Sequence, residues 1–208
     1  ATTGEEIYRM LSWAGQTGGA GTETSVLADG YLVYYNYYDN QIYCVGKGPS
    51  ATAVTASPKV SVFGDSVLIE GTVTDIAAGA EQSQQASRFP NGVPAVSDAS
   101  MSAWMEYVYM QQPCPPNVAG VTVTLDVIDA NGNYRSIGTA TGDASGFFSY
   151  MWEPDIPGKY TLIATFQGSE SYYASYAETA FGVTEAPAAT PSPTPATPPD
   201  TTLTIIGT

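Results

Sequence analysis

From about residue 51 to residue 184, short segments alternate apolar and polar side chains and are divided by turn sequences. That period of two is the mark of strands with one buried face. Eight segments carry it: TAVTASP, KVSVFG, SVLIEGTVTDI, VTVTLDVID, YRSIGTAT, GFFSYMW, KYTLIATF and YAETAFGVTE, with FGDS, DANGN, GDASG and PDIPG as turns. Eight short strands at this spacing predict an all-β chain built on a β-sandwich. The alternation also nominates a core of Val67, Ile69, Val73, Val123, Leu125, Val127, Phe148, Tyr150, Trp152, Leu162 and Phe166. Within each strand these residues share one parity, so the other parity is expected to face out.

Between the third and fourth segments lies an insertion, residues 77–118. In its second half Met101, Trp104, Met105 and Val108 fall at i, i+3, i+4 and i+7, which predicts one short helix covering a sandwich edge, with Asp98 or Ser100 as N-cap. A strand competes, because Tyr107 and Tyr109 also alternate. Ahead of the sandwich, residues 1–48 read as strands and tight turns: IYRML, a Gly-rich loop, SVLADG, YLVYYNYY, the turn DN and QIYCVG. Six of the fifteen tyrosines lie in residues 31–43, where alternation puts one set inward and one on a surface or against a neighbour. Such a piece of open sheet is marginal alone.

Beyond the last alternating segment the composition changes. Residues 186–200, APAATPSPTPATPPD, are a low-complexity spacer expected to be extended and polyproline-like, and its Thr and Ser are candidate O-glycan sites. Residues 201–208, TTLTIIGT, form an uncharged, β-branched octapeptide suited to joining a sheet, with the lead-in to a membrane anchor as the competing reading. The organisation is therefore a β region at 1–48, a sandwich at 49–185, a linker at 186–200 and a terminal strand at 201–208.

Charge and composition narrow the function classes. Twenty acidic residues against six Lys plus Arg give a net charge of −14 over 208 residues, which repels phosphate backbones and anionic lipid, so nucleic acid is not an expected partner. The chain has no histidine, which removes the usual general base and the Ser-His and Cys-His nucleophile pairs. With no cleft-forming segment pointing to an acid pair, an enzyme is not expected. No run of 18 apolar residues occurs, so no direct membrane span is expected. The first residues lack an initiator Met, a basic n-region and an apolar h-region, which leaves open a removed signal peptide or a fragment.

Few residues carry chemistry. Cys44 and Cys114 are an even pair, and a bridge between them would close a loop of about 70 residues, worth roughly 4 kcal/mol. Two unpaired, buried thiols are the alternative. Asp129, Asn131 and Asn133 place oxygens at alternate positions as calcium loops do, although Gly132 is misplaced for an EF-hand. The competing reading is an Asn-Gly hairpin turn. No other cofactor is expected. Trp104 and Trp152 sit in apolar patterns and read as core, whereas Trp13, beside the Gly-rich loop, is open to a surface role.

Two stretches resemble known families. The segment ADGYLVYYNYYDNQIYC, residues 28–44, resembles one blade of quinoprotein-like β-propellers: a small-Asp-Gly turn, a strand, a polar turn, and a strand ending in an aliphatic-Tyr-small triplet. Residues 51–184, especially GTATGDASGFFSYMWEPDIPGKYTLIATFQGSESYYASYAETAFGV, resemble the immunoglobulin-like domains repeated in archaeal and bacterial surface proteins. Together they are similar to the C-terminal part of archaeal surface proteins made of propeller, immunoglobulin-like domain, Pro-rich stalk and membrane anchor. The other blades and an anchor helix are not in the sequence, and no quinone-binding residue carries over. The resemblance implies an extracellular, cell-surface location. The expected function is a structural subunit of a surface layer or filament, a homo-oligomer or homopolymer in which Leu203, Ile205 and Ile206 enter a neighbour's sheet by β-strand addition. The alternative is an adhesion or ligand-binding module.

Overall fold

The computed structural model describes residue 4, residues 9–12 and residues 25–187. Within them the chain forms three sheets and two helices. The first sheet is an antiparallel meander of β1 (Ser25–Ala28), β2 (Tyr31–Asn36) and β3 (Gln41–Val45). Asp29 and Gly30 turn the chain at positive φ, and Tyr37–Asn40 make the second turn, so the DN pair closes a longer loop than expected. Residues 9–11, in the segment read as a first strand, carry no strand. They lie against this sheet through hydrogen bonds from the Tyr34 hydroxyl to Met10 Sδ and from Asn36 Nδ2 to the Leu11 carbonyl.

The other two sheets stack face to face as a β-sandwich. One contains β4 (Ser50–Ser57), β6 (Val67–Asp75) and β10 (Phe147–Trp152) in the order β10-β6-β4, with the two-residue β7 (Val93–Pro94) paired to the end of β6. The other runs β5 (Val60–Val62), β12 (Ser175–Thr184), β11 (Gly158–Phe166), β8 (Thr122–Ile128), β9 (Tyr134–Thr141). All eight expected strands are present. The first of them, β4, passes through Pro58 and continues in the opposite sheet as β5, which pairs parallel to its neighbour, alone among the described strands.

The core follows the parity rule. Along β6 burial alternates without a break, and along β11 it alternates from Lys159 to Phe166. Nine of the eleven nominated core residues are buried, while Tyr150 and Trp152 pack on the core half-exposed because β10 is a sheet edge. Tyr160 and Phe181 stack at 5.4 Å, with Trp152 set edge-on to both. Two buried carboxylates break the pattern. Asp75 continues the inward parity of Val67, Ile69 and Val73, and Asp126 is covered on the outer face of β8.

The insertion holds two helices where the pattern predicts one: α1 (Ser83–Arg88) and α2 (Asp98–Met110). Trp104 and Val108 turn inward to a second small core with Ala80, Val93 and Val96, packed on by Phe89. The N-cap of α2 is Ser97, so Asp98 is the first helical residue and Ser100 instead accepts the Ala119 N–H at 3.2 Å. At the other end Arg88 donates to the carbonyls of Val108 (2.7 Å) and Tyr107 (3.0 Å), giving the helix C-terminus the cation its free carbonyls favour. Among the described residues no helix is long and apolar enough to cross a membrane.

Candidate functional site

A groove of about 720 Å³ lies where the three-stranded sheet, the insertion and the end of the sandwich meet. Its first wall is β3 and the residues after it. The sheet is held to the sandwich by a short relay: Gly48 N donates to the Ser171 carbonyl at 2.9 Å, and Tyr173 N donates back to the Gly48 carbonyl at 2.8 Å. Tyr31 adds a hydroxyl bond to the Lys47 carbonyl and one shared with the Tyr173 hydroxyl, both at 3.0 Å, and Lys47 Nζ lies 5.2 Å over the Tyr173 ring. Gly46 is required here, because a Cβ would stand 2.5 Å from the Tyr31 ring.

The second wall is α2. Met101, Met105 and Tyr109 recur at i, i+4 and i+8 and face the groove, while Trp104 and Val108 turn to the second core. The helix is fixed at its start by Asp98, whose carboxylate accepts Ser169 Oγ (2.9 Å), Glu170 N (3.0 Å) and Ser171 N (3.0 Å) from the β11–β12 loop. Partial burial works against that charge, but the bonds from Ser171, Glu170 and Ser169 outweigh it and hold the carboxyl below its ordinary value. The same loop delivers Glu170, Ser171 and Tyr172 to the groove.

The floor is polar and buried. Asp75, at the end of β6, accepts Ala77 N at 2.8 Å and is also bonded by the side chain of Tyr172. Burial raises the Asp75 carboxyl above its ordinary value, and these bonds only partly offset it. Burial, then the nearby Asp75 charge, pushes the Tyr172 phenol well up, so it stays a protonated donor. Asp75 and Tyr172 were not among the residues singled out from sequence. A signal existed for Asp75, a carboxylate on the inward parity of a strong strand.

The residues nominated from sequence sit elsewhere or stand differently. Cys44 and Cys114 are both exposed and unbonded, which corrects the expected bridge and the alternative of buried thiols alike. Cys44 lies on β3 in the first groove wall, whereas Cys114 follows the end of α2 and donates locally to the Pro115 carbonyl at 3.7 Å. Asp129, Asn131 and Asn133 do come together, as a hairpin turn. Asp129 Oδ1 accepts the N–H groups of Asn131 and Asn133 at 2.9 Å each, and Oδ2 accepts Asn133 Nδ2 at 3.0 Å. With the Asn133 amide aimed at the carboxylate and Arg135 3.6 Å from it, the oxygens point at the loop's own donors rather than at a shared centre. The Asn133 side chain, then its backbone N–H, hold this carboxyl below its ordinary value. Among the described residues no three His, Cys, Asp or Glu side chains converge as metal ligands. Leu203, Ile205, Ile206 and Trp13, with residues 188–200 of the linker, lie outside the described residues.

Chemically the groove offers apolar thioethers and tyrosine rings, phenol donors and one strand edge, a set suited to binding an extended or apolar partner. Comparison of the sequence with protein-family models and with curated proteins gives no match.

Proposed function

We propose that this chain is a non-enzymatic structural subunit of a cell-surface layer or filament, acting outside the cell and assembling by β-strand addition. The observation that carries the reading is the three-stranded sheet β1-β2-β3, whose two outer strands have no further strand partner among the described residues. Those strands expose large apolar side chains, Leu27 at 75% and Ile42 at 73%. Open edges with apolar side chains are association surfaces, which proteins otherwise cover or charge. The octapeptide TTLTIIGT, uncharged and β-branched, has the composition of a matching strand and follows a Pro-rich stretch long enough to reach a neighbour.

The test is deletion of residues 201–208, followed by light scattering and negative-stain imaging. The full chain is expected to form large species and the truncated chain to remain a single copy. Large species of unchanged size from the truncated chain would overturn the reading. The groove supports a second reading, an adhesion or ligand-binding module, which a full chain that stays monomeric while binding a ligand would favour.

A further inference from the structure

We propose that the outer edge of β3 is the acceptor strand, taking residues 201–208 of a second copy into the groove between β3 and α2; the inference rests on the assembly reading above. All five residues of β3, 41–45, line this groove, and residues 46–48 continue its wall beyond the strand. Side chains of a strand alternate between faces, so the face of a strand presents every second residue. An unbroken run means the groove follows the strand's edge, on the side away from β2. Across from that edge stand Met101 and Met105 of α2 with Ala77 and Ala78, an apolar wall whose thioethers adapt to the shape laid against them.

The edge selects its occupant. A strand edge offers alternating N–H and C=O groups and is matched by a segment that offers both. Residues 186–200 carry Pro at six of fifteen positions and lack those donors, whereas residues 201–208 carry no Pro and no charged side chain. Lack of charge matters because two copies at −14 repel each other. In an added strand Leu203 and Ile205 share the face that meets Met101 and Met105, and Ile206 takes the other.

Direction selects the second copy. β12 starts beside the groove, just after Tyr172, and its ten residues carry the chain about 33 Å to the opposite end of the sandwich at Thr184. From there residues 185–200 extend at ~3.1 Å per residue, roughly 50 Å. A Pro-rich spacer that leads outward from there would deliver the octapeptide to the groove end of the next copy. Contacts of this head-to-tail kind propagate as a filament when they do not close.

Cys44 provides the probe. In the full chain carrying Cys114→Ala, single substitutions Thr202→Cys, Leu203→Cys, Thr204→Cys, Ile205→Cys and Ile206→Cys are oxidised mildly and run without reductant. Directly paired strand residues stand about 4.5–5.5 Å apart at Cα, within disulfide reach. One register position is expected to give a ladder of covalent dimers and larger species. Adding Ala78→Trp, which fills the groove from an exposed position, is expected to cut the yield at least tenfold. No ladder from any position in protein that still forms large species would overturn the acceptor assignment and leave the assembly reading standing. A bridge confined to single chains, or an equal yield from Ser192→Cys in the spacer, would also overturn it. If deleting residues 201–208 leaves the large species intact, the assembly reading itself fails.

Discussion

Truncation of Phe148 to Ala probes the inward parity where the structure leaves least room for repair. Phe148 is 1% exposed and stands opposite Gly71 across the β10–β6 ladder. A Cβ on Gly71 would collide with the Phe148 ring and with the Ala53 carbonyl, so the ring occupies the space a side chain at 71 would take. Removing the ring leaves a hole that Gly71 has no side chain to fill. The β6 backbone cannot sink into it either, being held by β10 on one side and β4 on the other. The cost therefore belongs in the upper part of the range for Phe→Ala, about 4 to 5 kcal/mol. For a denaturant slope of about 2 kcal/mol per M, the urea midpoint falls by about 2 M. The melting temperature drops by roughly 10–15 °C for a chain of this size. Met151, on the opposite parity three residues along, is 60% exposed. Met151→Ala should change stability by no more than about 0.5 kcal/mol. The parity argument is refuted if Phe148→Ala unfolds within about 1 kcal/mol of the parent, or if Met151→Ala loses as much.

Further outcomes follow from hydrogen-bonded polar groups. Tyr160→Phe keeps the stack on Phe181 but leaves the Ile156 N–H, which the Tyr160 oxygen accepts at 3.2 Å, without that partner. A loss of about 1 to 2 kcal/mol is expected by urea titration, and no loss would show that the bond contributes nothing. Asp98→Asn should cost about 1 kcal/mol or less at neutral pH, since the group is exposed and screened. Because its folded pKa is lowered, its contribution is present above the ordinary carboxyl value near 3.9 and lost as pH falls through the folded value. The gap between parent and variant melting temperatures should therefore close toward acid. Asp75→Asn should behave oppositely. Its folded pKa is raised, so its contribution is full below about 3.9 and lost as pH rises through the folded value. The parent should lose ground against this variant as pH rises above about 4, and a parent that gains there contradicts the assignment.

The eight sandwich strands were legible because burial of one face writes alternation into the sequence, as β6 demonstrates residue by residue. The insertion was read less well. α1 has the sequence SQQASR, with only Gln85 buried, so no apolar stripe announces it. The stripe of α2 and the core role of Trp104 were visible, but nothing in the stripe separated Trp104 and Val108, which face a core, from Met101 and Met105, which line a groove. That division depends on what packs against each side. The groove itself joins residues from Tyr31 to Tyr172, and its placement rests on the Gly48 relay and the Asp98 carboxylate, contacts that no local pattern encodes. The cysteines show the same limit, since an even count says nothing of where two backbones run.

The parallel pairing of β5 with β12 determines how the sandwich bears load. The first strand, β4 continuing into β5, and the last, β12, run in the same direction, and Val60–Val62 lies beside Gly182–Thr184. The Phe63 N–H donates to the Thr184 carbonyl at 2.8 Å and the Gly182 N–H to the Lys59 carbonyl at 2.9 Å. Tension applied through the two ends of the chain therefore slides these strands past each other along their length. All the bonds between them are strained together, and none can be peeled open ahead of the rest. A hairpin pulled from its open end would unzip one bond at a time. The strand that crosses between sheets thus serves as a mechanical clamp for the whole domain.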